Sequence, residues 1–202
     1  MLANAMILIS FFCGALPFSV WLIRIFLGKN VRDYGDGNPG AANVFRTGNN
    51  LIGLIALLLA VSKAAAPVGY AYHNLQIRGI TMFLIAIAPM LGHMFSPFLA
   101  FKGGKAIAAA LGVWIGLTIW IASLPAVIAV VIGIIFFTSS GWAVMLAMTA
   151  ILITLLLWLP SPLLLSIWAA VTLLLAWTHR TDLRRPPHLR SWLTNYLTRP
   201  TS

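Results

Sequence analysis

The chain has no glutamate, only three aspartates (Asp33, Asp36 and Asp182) and a single cysteine among 202 residues. Charged residues make up 8% and hydrophobic residues 61%, whereas soluble globular chains carry about 25% charged and about 45–50% apolar residues. So little charge cannot cover a water-facing surface, and the apolar excess must face lipid. The lone Cys13 excludes a disulfide framework and a Cys-based metal site. No carboxylate pair exists for glycosidase-type acid/base work, and His-Glu-x-x-His and Gly-x-Ser-x-Gly are both missing. We expect neither a metal nor a cofactor. The net charge of +10 reflects missing acids plus basic loops, which a bilayer explains more simply than nucleic acid does.

What is present is a series of apolar runs punctuated by Gly, Pro and charge. Spans are expected near 5–27, 51–72, 80–99, 106–122, 125–138, 142–159 and 162–177, each approaching the ~20 residues a helical crossing needs. The fifth is short and shares the Ser123-Leu124-Pro125 break with the fourth. The expected fold is therefore all-α, a single integral membrane domain over 1–202 with seven transmembrane helices. Of thirteen Lys and Arg, eleven fall on one side: Arg24, Lys29, Arg32, Arg46, Lys102, Lys105, Arg180, Arg184, Arg185, Arg190 and Arg199. Arg78 falls on the other side and Lys63 within a span. The asymmetry places the N-terminus outside and the C-terminus in the cytoplasm. Basic residues follow the first run rather than precede it, so it reads as a span and not as a cleaved signal. Lys63 within a span is by default a functional candidate or a member of a buried pair, but no acid lies nearby in sequence and it reads rather as a side chain snorkelling to the interface; His73 and Arg78 read as interfacial residues. In the basic tail 179–202, Leu189, Trp192, Leu193, Tyr196 and Leu197 recur at helical spacing, as in a short helix on the inner leaflet or a frayed terminus.

Polar residues cluster in three stretches, all on the cytoplasmic side. Loop 28–50 contains Gly35-Asp36-Gly37-Asn38-Pro39-Gly40, then a helix-compatible run with Asn43 and Arg46 three apart on one face. A Gly-rich turn feeding a helix beside a guanidinium suits an anion such as phosphate, although any loop is rich in Gly, Asn and Asp. Segment 92–105 holds Gly92-His93 and Lys102-Gly103-Gly104-Lys105. Its glycine N–H groups are expected to line an anion-binding concavity between two ammonium groups; the bland alternative is a hinge with a membrane-anchoring function. The third stretch, His179-Arg180-Thr181-Asp182, follows the last span, and its histidine is suited to donating to phosphate or to proton transfer, or simply to interfacial anchoring beside Trp177.

At these residues the sequence resembles the bacterial acyl-phosphate:glycerol-3-phosphate acyltransferases, the PlsY family of small seven-span enzymes. The likeness runs from Gly14-Ala15-Leu16-Pro17-Phe18-Ser19 through Gly35–Arg46, resumes over Gly92-His93 and Phe98–Lys105 to Leu111-Gly112, and ends at His179-Arg180-x-Asp182-Leu183. It implies transfer of a fatty acyl group from acyl phosphate to the 1-hydroxyl of glycerol 3-phosphate at the bacterial inner membrane, giving lysophosphatidate and inorganic phosphate. It implies His93, Lys105 and His179 as catalytic residues. Substrate contacts implied are Asp36, Gly37, Asn38, Asn43, Arg46, Lys102, Gly103, Gly104, Lys105, His179 and Asp182. An acyl phosphate is already a mixed anhydride, so alignment and neutralisation of two phosphates can suffice.

The chain departs from the family pattern at several places. Asp36 stands for a serine, Ala42 for a threonine, Ala60 for an aspartate and Asp182 for an asparagine. The third motif, with its arginine and serine, is not recognisable in Phe137–Ala143 unless Ser139 or Ser140 substitutes. Added carboxylates and a lost arginine disfavour a bound dianion. Alternatives are thus a paralogue using another acceptor, or an impaired protein that binds lipid phosphates. A small transporter ranks last, since transporter sites lie near the midplane.

Overall fold

The computed structural model describes residues Leu2–Leu193, and among them the regular elements are all helices, joined by loops, with one isolated bridge between Phe137 and Leu189. Tyr196, Leu197 and Thr198 of the expected surface helix lie outside the described residues. Helices occupy all seven expected apolar runs. Four segments, 2–27, 50–74, 79–99 and 140–158, are long and apolar enough to cross a membrane by length and composition. Three further apolar helices are shorter, at 12, 14 and 17 residues. Large apolar side chains such as Ile25, Ile80 and Leu173 are more than 70% exposed, the placement expected where the surrounding solvent is lipid.

The chain forms two compact units, Met1–Ile119 and Trp120–Ser202. In the first, the opening run is not one helix. α1 (Leu2–Ala15) and α2 (Phe18–Leu27) are separated at Leu16-Pro17, because proline has no N–H to continue the ladder and restricts the residue before it. α2 ends at Gly28 in the left-handed conformation, whose N–H returns to the Ile23 carbonyl. A loop carrying the short α3 (Ala41–Phe45) leads to α4 (Asn50–Gly69), which begins where the Asn49 side chain accepts from the Ile52 N–H at 3.0 Å. α5 (Gly79–Met94) and α6 (Ile107–Thr118) complete the unit.

α1 packs on α5 and α4 on α6. Small residues set these contacts: a side chain at Gly92 would strike the Phe11 backbone, and one at Gly112 the Val61 backbone. Between α4 and α5, Arg78 is not a solitary interfacial charge. It donates to the carbonyls of Tyr72 (2.6 Å) and Ile77 (2.8 Å) and to Gln76 (2.7 Å), with its guanidinium 3.9 Å from the Tyr72 ring. These bonds satisfy the carbonyls of a tight turn.

The second unit contains α7 (Ser123–Phe136), α8 (Ser140–Trp158), α9 (Pro162–Thr178) and α10 (Arg180–Leu183). Here the described part of the tail is clipped to the α7–α8 loop. Thr138 N–H donates to the His188 carbonyl (3.0 Å), Arg190 N–H to that of Phe136 (2.9 Å), and the Phe136 and Trp192 rings meet at 5.9 Å.

Candidate functional site

In the first unit the loop 28–50 is held from beneath by an apolar cluster of Ile23, Val31, Ala41, Val44 and Ala56. That cluster anchors α2, α3 and α4 together and leaves the polar residues on the loop's opposite side. Gly35 has φ +60°, and a side chain there would collide with Arg46 and Asn43, so only glycine serves both the turn and the space.

The polar residues converge on one carboxylate. Asp36 Oδ2 lies 2.9 Å from Lys105 Nζ. Its Oδ1 accepts from Asn43 Nδ2 at 2.9 Å and from the Asn38 N–H at 3.3 Å. Asn43, nearly fully buried, also donates to the Asn38 carbonyl (2.9 Å) and accepts from Arg46 Nη1 (3.3 Å). The one-face reading of Asn43 and Arg46 is thus realised. Of the two arginines near Asp36, neither is its ion-pair partner: Arg46 serves Asn43, and Arg32 donates to the Lys102 carbonyl. Partial burial pushes the Asp36 carboxyl up, but the hydrogen bonds from Lys105 and Asn43, the Lys105 charge and the Asn38 amide outweigh that and hold it at about 2, below the ordinary 3.8. An ammonium, a side-chain amide and a backbone N–H around one carboxylate form an anion cradle, with Asp36 seated in it.

The Lys-Gly-Gly-Lys segment corrects one expectation. The Gly103 N–H donates to the Met94 carbonyl (3.0 Å) and the Gly104 N–H to that of His93 (3.1 Å). Both amides satisfy the C-terminal carbonyls of α5, so they do not line an anion concavity. The segment's ligand-facing capacity rests on its lysine side chains. Gly104 has a further reason to lack a side chain, because a Cβ there would lie 2.5 Å from His93 Nε2.

Lys63 corrects another. It does not snorkel: it is buried, donating to the Leu16 carbonyl at 2.7 Å and lying 3.0 Å from His93 Nδ1. The helix break frees the Leu16 carbonyl, and the neighbouring Ala15 carbonyl accepts from buried Ser96 Oγ at 2.6 Å. A small pocket at this break is lined by Leu16, Pro17, Pro39, Lys63, His93 and Gly104 among others. The residue-by-residue reading missed this cluster, although a lysine within an apolar run beside a proline-broken one was its signal.

His179 and Asp182 lie in the second unit. His179 is fully buried at the end of α9, with Nδ1 2.9 Å from the Leu175 carbonyl. Asp182 accepts from Ser140 Oγ (3.2 Å) and the Gly141 N–H (3.1 Å). Its carboxylate therefore caps the start of α8, where negative charge is favoured. Ser140, one of the two serines considered for the missing motif, is bound to Asp182.

Residues 4–187 match the family model described as glycerol-3-phosphate acyltransferase. Proteins of that name are similar to this chain: one from Pseudoalteromonas translucida is 32% identical over 92% of this chain and 89% of its own length. One from Rhodopseudomonas palustris is 34% identical over 90% of each, and one from Pelagibacter ubique is 40% identical over 55% of this chain and 57% of that protein. Among solved structures, the crystal structure of PlsY (YgiH), an integral membrane glycerol 3-phosphate acyltransferase in its glycerol 3-phosphate form, has the same fold. Its TM-score is 0.83 at 24% identity, covering 98% of this chain and 100% of that one. By the extent of the model match and the identity to full-length relatives, this chain belongs to the glycerol-3-phosphate acyltransferase family.

Proposed function

We propose that this protein transfers a fatty acyl group from acyl phosphate to the 1-hydroxyl of glycerol 3-phosphate. The hydroxyl oxygen bonds to the acyl carbon, the bond from that carbon to the phosphate oxygen breaks, and the hydroxyl proton leaves with inorganic phosphate. The observation that carries the reading is the anion cradle of Lys105, Asn43 and Asn38, with Arg46 bonded behind Asn43. We assign Lys105 to phosphate neutralisation, Asn38, Asn43, Arg46 and Lys102 to substrate binding, and His93 to hydrogen bonding at the reacting acyl phosphate. The roles of His179 as a catalytic residue and of Asp182 as a substrate contact are supported by the motif resemblance alone. Seven spans, an external N-terminus, a cytoplasmic C-terminus and a place in the bacterial inner membrane complete the proposal, supported by the charge asymmetry of the loops.

A second reading has its own observation: Asp36 already fills the cradle. Acceptors without phosphate, or binding without turnover, follow if that carboxylate is not displaced. One assay separates the readings. Purified protein receives palmitoyl phosphate and labelled glycerol 3-phosphate, and lysophosphatidate is counted after organic extraction together with released phosphate. The proposal expects equimolar products. Phosphate release only with another acceptor establishes the second reading, and intact acyl phosphate under every condition rejects both transferase readings.

A further inference from the structure

We infer that Lys63 is a positioning residue that fixes the tautomer of His93, making His93 Nε2–H a hydrogen-bond donor aimed at an acyl-phosphate oxygen in the pocket beside Gly104; the inference rests on the acyltransferase reading above. Lys63 leaves α4 and meets two groups from other elements, the Leu16 carbonyl at the helix break and His93 Nδ1 on α5. An ammonium has three donors and no acceptor, so at Nδ1 the imidazole must accept. A ring that accepts at Nδ1 is neutral and carries its proton on Nε2. That nitrogen faces the space a Gly104 side chain would fill, with Asn38 Oδ1 3.2 Å from the same point.

Lys63 holds the ring at Nδ1, and the backbone carbonyl of His93 accepts from the Gly104 N–H at 3.1 Å, which keeps the Gly104 backbone beside it. His93 thus links the lysine buried under the helix break to the segment that presents Lys105. The arrangement suits a fixed donor rather than a general base, since the nitrogen facing the pocket has no lone pair to take a proton. A preset donor stabilises charge that develops on an acyl-phosphate oxygen without reorganising. It also accounts for a buried lysine that has no carboxylate partner among the described residues: the net role of Lys63 is to orient His93 and to satisfy the Leu16 carbonyl, whose helical donor, the Val20 N–H, turns instead to the Pro17 carbonyl at 2.9 Å.

The test has two independent readouts. Nitrogen-15 spectra of histidine-labelled wild-type protein in nanodiscs, with the His93 signals assigned by their loss in His93→Gln, should show a neutral ring protonated at Nε2. In Lys63→Met the His93 signals should move to a mixture of tautomers. In the transfer assay, His93→Ala should lower kcat by about a hundredfold, the scale for losing one preorganised donor, and Lys63→Met should lower it by less, because the tautomer mixture keeps part of the Nε2–H population. The KM for glycerol 3-phosphate should stay within about twofold in both. The double variant should be no slower than His93→Ala, because Lys63 acts through His93. A wild-type proton on Nδ1, an imidazolium, or additive losses in the double variant would overturn the inference. Absence of turnover by the wild type would defeat the acyltransferase reading instead, and the spectra would still decide the tautomer.

Discussion

A single residue, Asp36, gives this site its character. The family pattern has serine there, and a serine hydroxyl would leave Lys105, Asn43 and the Asn38 N–H open to an incoming phosphate. The carboxylate instead takes all three. Lys105→Ala and Arg46→Ala should each weaken binding of glycerol 3-phosphate about ten- to a hundredfold, the range for losing a charge-assisted contact of ~1.5–3 kcal/mol. Titration calorimetry with membrane-inserted protein checks this, and unchanged affinity in both variants would return the two residues to membrane anchoring. The acid behaviour of Asp36 has a definite sign. Its folded value of about 2 lies below the unfolded 3.8, so its contribution to stability is fully present above that range and lost as pH falls from about 4 towards 2. The carboxylate is 46% exposed, which screens the pair into the ~0–1 kcal/mol range of surface ion pairs. Asp36→Asn should therefore flatten the acid decline of the unfolding temperature between pH 4 and 3 slightly, with no divergence from wild type in slope between pH 5 and 8.

At the scale of elements, the first unit depends on backbones that approach closely. Gly92→Leu should force α1 away from α5, because its side chain would occupy the Phe11 backbone. Overpacking of this kind costs about 1–3 kcal/mol or more, and a fall of several degrees in the unfolding temperature in detergent would register it. All seven apolar runs were legible from composition, since stretches of Leu, Ile, Val and Ala bounded by Gly, Pro and charge leave few alternatives. So was the shared face of Asn43 and Arg46, which helical spacing dictates. The break at Leu16-Pro17 was not drawn, because hydropathy averages over a proline in mid-run. The pairing of Lys105 with Asp36 spans 69 positions and could not be read from spacing. The same holds for Lys63, whose partners come from α5 and from a carbonyl that exists as a free acceptor only once the helix breaks. The glycine amides of Lys-Gly-Gly-Lys misled for a related reason: spacing shows that N–H groups are present, and only the fold shows that α5 uses them.

For the whole molecule, the eleven-to-one distribution of basic residues predicts the topology. In a Cys13→Ser background, a cysteine introduced at Asn74 should react with an impermeant thiol reagent from outside the cell, and one at Lys29 should be protected until the membrane is opened. Reversed labelling would overturn the seven-span, N-outside arrangement. In the proposed function glycerol 3-phosphate is acylated and its phosphate enters the cradle now filled by Asp36. The most direct test is the KM for glycerol 3-phosphate in steady-state acyl transfer from palmitoyl phosphate, compared between wild type and Asp36→Ser. Removing a negative charge that competes for Lys105 should lower that KM several-fold while lysophosphatidate remains the product; an equal or higher KM, or no lysophosphatidate from either protein, would contradict it.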